Sequence, residues 1–304
     1  MEKREITFTV EKGGLRLDKV IRDRVPDLSR TQAQRLIATN AATVGGDSHK
    51  PAYRVKLGDR VTVVLPEEKE LEVLPEPIPL DVIYEDAHLL LVNKPSGMVV
   101  HPAPGHPDGT LVNALLAHCP QIAGVGPSDR AGIVHRLDKG TSGLLIVAKN
   151  KTVLDALQKQ FKQREVAKTY LSLVEGRVQP PEGIVEVPVG RDEHHRQKMA
   201  ALRSGKYART RYRVVESFAD HTLLEAYPHT GRTHQVRVHL AWLGYPVVGD
   251  TVYGRRHQPL LQNRHFLHAL RLCFTHPDTG KEAEFEAPLP VELTAVIEYL
   301  SPSS

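Results

Sequence analysis

Arg130-Ala131-Gly132-Ile133-Val134-His135-Arg136-Leu137-Asp138-Lys139-Gly140-Thr141-Ser142-Gly143-Leu144-Leu145-Ile146-Val147-Ala148-Lys149 sets a cluster of reactive side chains between two short aliphatic runs. Ile133-Val134 and Leu144 to Ala148 have the length and character of buried strands, so His135 to Gly143 reads as the loop that joins them. A rigid frame then holds Asp138. Gly140 and Gly143 relax steric limits on the backbone, and Thr141 and Ser142 can hydrogen-bond the loop's own amides, which is how a site loop is built. With Arg136 two residues before it and Lys139 after it, the Asp138 carboxylate would stay ionised if either cation lies close. An ionised carboxylate serves as nucleophile or base. The plain alternative is an Asp that ties down its own loop. Arg16-Leu17-Asp18-Lys19 repeats the letters of Arg136 to Lys139 yet opens a helix, so the tetrapeptide alone decides nothing.

Two further blocks carry chemistry. In Pro228-His229-Thr230-Gly231-Arg232-Thr233-His234-Gln235-Val236-Arg237-Val238-His239-Leu240, a helix capped by Thr230 or Thr233 puts Arg232 at its start, with Arg237 a turn and a half further on. His234 and His239 are five apart and lack the zincin glutamate, which argues against a metal. Lys168-Thr169-Tyr170 sits in a strand pattern, where a tyrosine ordinarily packs. Beside a basic cleft its ring could instead stack on an unpaired base.

Further out, the first sixty-five residues read as a small α/β module. Ile6 to Val10 alternates like a strand, Leu17, Val20 and Ile21 follow helical spacing, and Ser29 caps a second helix from Arg30 to Thr39. Val44-Gly45-Gly46-Asp47 supplies a tight turn before a strand at Arg60 to Leu65. Arg22, Arg24, Arg30 and Arg35 decorate the helices, either as a phosphate-gripping face or as an ordinary solvated one. Residues 66–80, rich in Pro and Glu, read as an extended linker. From residue 81 strands predominate: His88 to Asn93, Thr169 to Val174, Tyr207 to Val215, Thr222 to Tyr227 and Leu267 to Phe274. Helices are expected after Thr110, up to Arg164 and over Leu293 to Leu300. The pattern reads as α+β: a small α/β module, a linker, and a longer region from residue 81 in which strands predominate over helices.

Forty Lys and Arg against thirty-six Asp and Glu leave only +4 over 304 residues, but the charge is segregated. Residues 1–60 carry a net +5 and residues 191–213 a net +6, while residues 277–304 carry −5, as a one-sided basic face requires. Two distant cysteines exclude a disulfide framework and a four-cysteine zinc site. No signal peptide or apolar run of membrane-spanning length is evident, so a cytoplasmic protein is expected.

Taken together, these blocks closely resemble the RluA/RluD-type pseudouridine synthases. The resemblance is carried by His135 to Gly143, Lys168 to Tyr170 and Gly231 to Gln235. Asn93-Lys94-Pro95-Ser96-Gly97 with His101-Pro102, Gly249-Asp250 with Tyr253-Gly254, and His268-Ala269 with His276-Pro277 and Thr279-Gly280 extend it. The first module resembles the S4 RNA-binding domain through Arg16 to Val20, Leu28 to Arg30, Leu36-Ile37 and Leu57 to Val61, although Val44 to Asp47 departs from the usual turn. The resemblance implies an α+β fold, with a small S4-like α/β domain over 1–65, a linker over 66–80 and a catalytic domain over 81–304 built on a mixed, mainly antiparallel sheet with flanking helices. It implies isomerisation of uridine in structured RNA, large-subunit ribosomal RNA before transfer RNA, with no cofactor and no metal. Asp138 would be the catalytic carboxylate, Arg232 its ion-pair partner, Tyr170 the surface that stacks on uracil, and Arg136 the side chain that fills the space of the extruded base. Arg22, Arg30 and Arg35 would bind RNA. The rivals are a non-catalytic RNA clamp, against which intact Asp138, Tyr170 and Arg232 argue, and a hydrolase, which lacks a second carboxylate beside Asp138.

Overall fold

The computed structural model describes residues 4–25, 28–65, 73–103, 105–192, 195, 198–255 and 259–301. The chain divides into two compact units, Met1–Glu70 and Leu71–Ser304.

In the first unit, strand β1 (Arg4–Thr9), helices α1 (Leu17–Arg24) and α2 (Arg30–Ala38), and strands β2 (Ala42–Val44) and β3 (Arg60–Leu65) follow in chain order. The sheet runs β1-β3-β2, antiparallel throughout. Ser29 caps α2 as its position before the apolar run predicts: its Oγ accepts from the Gln32 amide while the Gln32 side chain returns to the Ser29 N–H. Leu17, Ile21, Ile37, Val61 and Val63 form the core between helices and sheet. Asp18 is buried among them, bonded by Arg16, Arg30 and Gln34. That gives the look-alike of Asp138 a structural job.

The second unit is built on a nine-stranded mixed sheet. Its elements are β4 (Val82–Glu85), β5 (Leu89–Lys94), α3 (Leu111–His118), β6 (Ser142–Ala148), α4 (Lys151–Gln163), β7 (Ala167–Glu175), β8 (Glu182–Val185), β9 (Val189–Arg191), β10 (Met199–Ala201), β11 (Thr210–Ser217), β12 (His221–Pro228), α5 (Gln235–Trp242), β13 (Leu267–Thr275), β14 (Glu282–Glu286) and α6 (Val291–Leu300). The strand order is β4-β5-β6-β13-β7-β12-β11-β8, with β14 also on β13, and β9 and β10 make a separate hairpin. All pairs are antiparallel except β13 with β6. Strand β6 is buried along its whole length, as its unbroken aliphatic run requires. Two cores flank the sheet, one beneath β5 and β6 with α3 and α4, the other with α5 and α6 against β7 and β12.

Several expectations shift. Ile133 makes a single bridge to Val147 and no strand of its own, and β11 begins at Thr210, three residues beyond Tyr207. Of the expected linker, residues 66–72 lie outside the described residues. Residues 73–80 belong to the second unit and lie against its helix α3, with the Glu76 N–H donating to the Asn113 carbonyl and Asn113 Nδ2 to the Leu74 carbonyl. That stretch is docked, because its carbonyls and its Val73 and Leu80 side chains find partners there.

Candidate active site

Asp138 lies in the loop that enters β6, and the loop is fastened from below. The Asp138 carbonyl accepts from the Thr141 amide at 3.0 Å and closes a turn. Lys94, with no exposed surface, aims its ammonium at the carbonyls of Pro95 (2.7 Å), Met98 (2.9 Å) and Lys139 (3.4 Å). The Gly97 amide donates to Lys139 O and Ser96 Oγ to Gly140 O, so the turn after β5 is riveted to the carboxylate loop. Burial draws the Lys94 pKa down to about 7, against the pull of nearby Asp138.

The downstream side is held by the segment leading into β13. Thr141 Oγ1 lies 2.8 Å from His265 Nε2, and Arg264 Nη2 donates to Ser142 Oγ at 2.7 Å. Ser142 Oγ lies 2.9 Å from His268 Nδ1, and Arg264 Nη1 reaches Glu292 on α6. Burial drives the His265 and His268 pKa values down, to about 3 and about 4. Thr141 and Ser142 therefore bond to this segment instead of to their own loop's amides. Gly143 needs its glycine: φ is +113°, and a Cβ would overlap the Ala269 backbone, which pairs with it across the sheet. A Cβ on Gly140 would meet His265 Cε1 at 2.8 Å.

The same row of the sheet brings Tyr170 to the site, because Ala269 pairs with Gly143 on one side and Tyr170 on the other. Tyr170 lines the cleft, and burial together with the Asp138 charge holds its phenol protonated well above the usual range. The cleft has a volume of about 560 Å³, within the size range of single-ligand sites. Asp138, Tyr170, Arg136 and Arg232 all line it. Arg136 is exposed at its edge and makes no ion pair among the described residues.

Asp138 is paired with Arg237, whose Nη1 donates to Oδ2 at 3.2 Å. Arg232 is not the partner: its Nε donates to the Tyr207 carbonyl at 3.0 Å and its amide to Gln235 Oε1. The reason is local. Helix α5 starts at Gln235, after His234 in a left-handed conformation, and neither Thr230 nor Thr233 caps it. Buried Gln235 knots the preceding loop to Arg209, Thr210 and Thr230, which leaves Arg232 on the cleft wall and turns Arg237 inward.

Arg237 is itself clamped by Asp250, Nε to Oδ2 at 2.7 Å and Nη2 to Oδ1 at 3.0 Å, with its guanidinium 5.0 Å from the Tyr253 ring centre. Burial alone would raise the Asp250 pKa, but the Arg237 fork outweighs it and brings it below the usual carboxylate value. The sequence signal for Arg237 is its place one helical turn past His234, together with the Gly249-Asp250 block. His239 has both ring nitrogens engaged, by Thr210 Oγ1 and the Val187 carbonyl, which leaves none for a metal.

In the first unit, Arg22 pairs with Asp23 and Arg30 with Asp18, while Arg35 is exposed and makes no ion pair among the described residues. Of His194-His195, the first lies outside the described residues, and His195 is exposed beside Asp192.

Residues 88–242 match the family model for RNA pseudouridylate synthase, and residues 15–61 match the model for the S4 domain. The chain is 46% identical to YlyB of Bacillus subtilis, an uncharacterized RNA pseudouridine synthase, over 99% of both chains. It is 41% identical to a ribosomal large subunit pseudouridine synthase D of Neisseria meningitidis serogroup B, over 97% of this chain and 81% of that one. Among solved structures it is similar to human RNA pseudouridylate synthase domain containing 1, with a TM-score of 0.58 and 30% identity over 76% of this chain and 90% of that one.

Proposed function

Since this chain belongs to the RNA pseudouridylate synthase family, isomerases that act on RNA, we propose that it converts uridine to pseudouridine in structured RNA, large-subunit ribosomal RNA first, through Asp138. One observation carries the reading. In a cleft of about 560 Å³ that Tyr170 also lines, Asp138 has one carboxylate oxygen held by Arg237 and the other free of partners among the described residues.

The target uridine leaves its stack to reach that carboxylate, at a cost of a few kcal/mol that is smallest in loops. Arg136, exposed and without an ion pair, takes the place of the extruded base, for which a planar guanidinium is suited. Tyr170, kept protonated, stacks on the uracil and can hold a proton near it. Arg237 holds the Asp138 carboxylate aimed through its bond to Oδ2, the kind of preorganisation that transition-state stabilisation in a dry site requires. Arg232, with Nε committed to the Tyr207 carbonyl, presents its other guanidinium nitrogens to the RNA backbone. Uridine and its product are isomers, so the net change calls for no redox cofactor.

The ribosomal substrate is supported by the relatives named for the ribosomal large subunit. It would put the protein's work in the cytoplasm, and no helix among the described residues is long and apolar enough to cross a membrane. Residues 1–65 would grip RNA, through Arg35 and the outward edges of Arg22 and Arg30, and residues 81–304 would do the chemistry. The test is incubation of purified protein with unmodified large-subunit ribosomal RNA, followed by pseudouridine mapping. Wild type should modify discrete positions and Asp138→Asn none. Modification by Asp138→Asn would overturn the assignment of that residue, and modification of transfer RNA alone would overturn the substrate.

A further inference from the structure

His234 occupies a backbone position that a side chain rarely takes, φ 56° and ψ 17°, at the start of α5, and its side chain does not cap the helix. Strain of this kind gathers at functional sites. The imidazole is turned toward Asp138 and the Tyr253 hydroxyl. Nδ1 lies 2.8 Å from the Tyr253 oxygen, and Nε2 lies 4.0 Å from Asp138 Oδ2.

The hydrogen-bond directions follow from giving every donor an acceptor and keeping a lone pair of Nε2 from facing the Asp138 carboxylate. The Met199 backbone amide, which can only donate, gives its proton to the Tyr253 oxygen at 2.9 Å. The phenol proton has one acceptor among the described residues, His234 Nδ1. Nδ1 therefore accepts, and in the neutral ring the proton sits on Nε2, the atom that faces Asp138. Five groups surround the ring: Asp138 and Arg136 from the carboxylate loop, Arg237 from α5, and Asp250 and Tyr253 from the following turn. Burial and the two arginines lower the His234 pKa, and the two carboxylates oppose them.

Arg237 Nη1 and His234 Nε2 converge on the same oxygen, Oδ2, and Oδ1 has no partner among the described residues. Tyr253 backs both donors, with the His234 ring edge-on at 5.7 Å and the Arg237 guanidinium over its face. We infer that His234 is a positioning residue for the Asp138 carboxylate: Tyr253 holds it in the Nε2–H tautomer, and together with Arg237 it occupies Oδ2 so that Oδ1 meets the substrate. This rests on the reading of Asp138 as the reacting carboxylate. The 4.0 Å separation shortens to a hydrogen bond when RNA fills the cleft, as catalytic contacts do on substrate binding.

The experiment uses the full chain, with His234→Asn, which tolerates the left-handed backbone, Tyr253→Phe, which keeps the ring, and the double variant. Nitrogen NMR of the imidazole reads the tautomer without any turnover. Wild type should show the proton on Nε2, and Tyr253→Phe should lose that preference. A wild-type ring protonated on Nδ1 overturns the inference. In single-turnover assays each single variant should react about tenfold more slowly at saturating RNA, and the double no more slowly than the worse single, because both act through one chain. The loss should fall on the rate and leave RNA affinity unchanged, since both side chains act through the carboxylate and not on the RNA. A loss of affinity in place of rate, or a hundredfold loss in the double, overturns it. Should a variant unfold, His234→Gly, which relieves the strained backbone, must show the same loss of rate at unchanged RNA affinity. Failure of the Asp138 assignment would show separately, as product formed by Asp138→Asn.

Discussion

Replacing Arg237 with methionine separates the two jobs its guanidinium performs. The side chain is buried between Asp138 and Asp250, and Asp250 is 1% exposed. Removing the cation strands a buried carboxylate, a change that costs about 3–5 kcal/mol. At roughly 2–4 °C per kcal/mol for a unit of this size, the melting temperature should fall by about 6–20 °C. Leucine at position 250 would be a poor rescue, because Asp250 Oδ1 also accepts the Val252 and Tyr253 amides, and each amide left unpaired costs ~1–3 kcal/mol. Asparagine keeps an acceptor oxygen and drops the charge. Arg237→Met with Asp250→Asn should therefore recover about half of the lost stability. Activity should not follow. Asp138 still lacks its donor, and loss of one preorganised electrostatic contact typically slows turnover ~10²–10³-fold. Thermal unfolding and single-turnover pseudouridine formation on the same preparations read both quantities. If activity recovers in step with stability, Arg237 acts only by supporting Asp250. If Arg237→Met melts with wild type, the buried-pair reasoning is wrong.

Gly143→Ala should destabilise the larger unit by about 2 kcal/mol or more, since it combines a positive φ with an overlap on Ala269; urea unfolding measures it, and a neutral result would refute the close approach of β6 and β13. In the first unit, Asp18 has its pKa lowered, by its bond from Arg16 before all others and against burial. Its contribution to stability is therefore complete above the unfolded carboxylate value near 4 and lost as pH falls through the folded one. Asp18→Asn should be less stable than wild type at pH 7, and the gap should narrow at pH 2–3 in acid titrations followed by circular dichroism. Deleting residues 1–70 should weaken binding to folded RNA more than turnover on a short loop, and equal losses on both substrates would contradict the division of labour. For the full chain, Arg136→Ala should leave the slope of log affinity against log salt unchanged, because Arg136 fills the stack; a fall of about 0.7 would instead mark it as one single-strand phosphate contact.

What could be read from the residues alone follows the range of the interactions. Ser29 and Thr110 form complete capping boxes, and Arg164 ends α4 in a left-handed cap, because each motif closes within four residues. The glycines and hydroxyls of the carboxylate loop were equally legible as a rigid turn. Their partners were not: His265 and His268 stand more than 120 residues away. The choice between Arg232 and Arg237 failed for a local reason. A threonine cap before the helix is the usual pattern, and the left-handed turn at His234, which starts the helix three residues later, leaves no signature in residue type. The parallel neighbour of β6 was likewise invisible, since pairing between strands far apart in sequence leaves no local period to detect.

Strand β13 sits between β6 and β7, although synthesis reaches its end roughly a hundred residues after β7 is complete. At about 5–20 residues per second, the growing chain spends ~5–20 s with β6 and β7 as two open sheet edges, each a template for pairing with another chain. Arg264, His265, His268 and Glu292, which fasten the carboxylate loop, all come from about the last forty residues. A nascent chain therefore carries Asp138 with its loop fastened only from the Lys94 to Gly97 side, long before the downstream half of the frame exists. An RNA that meets the protein during its own translation meets a binding module ahead of an enzyme, and a message cut short before codon 264 yields a product whose carboxylate loop is held on one side only.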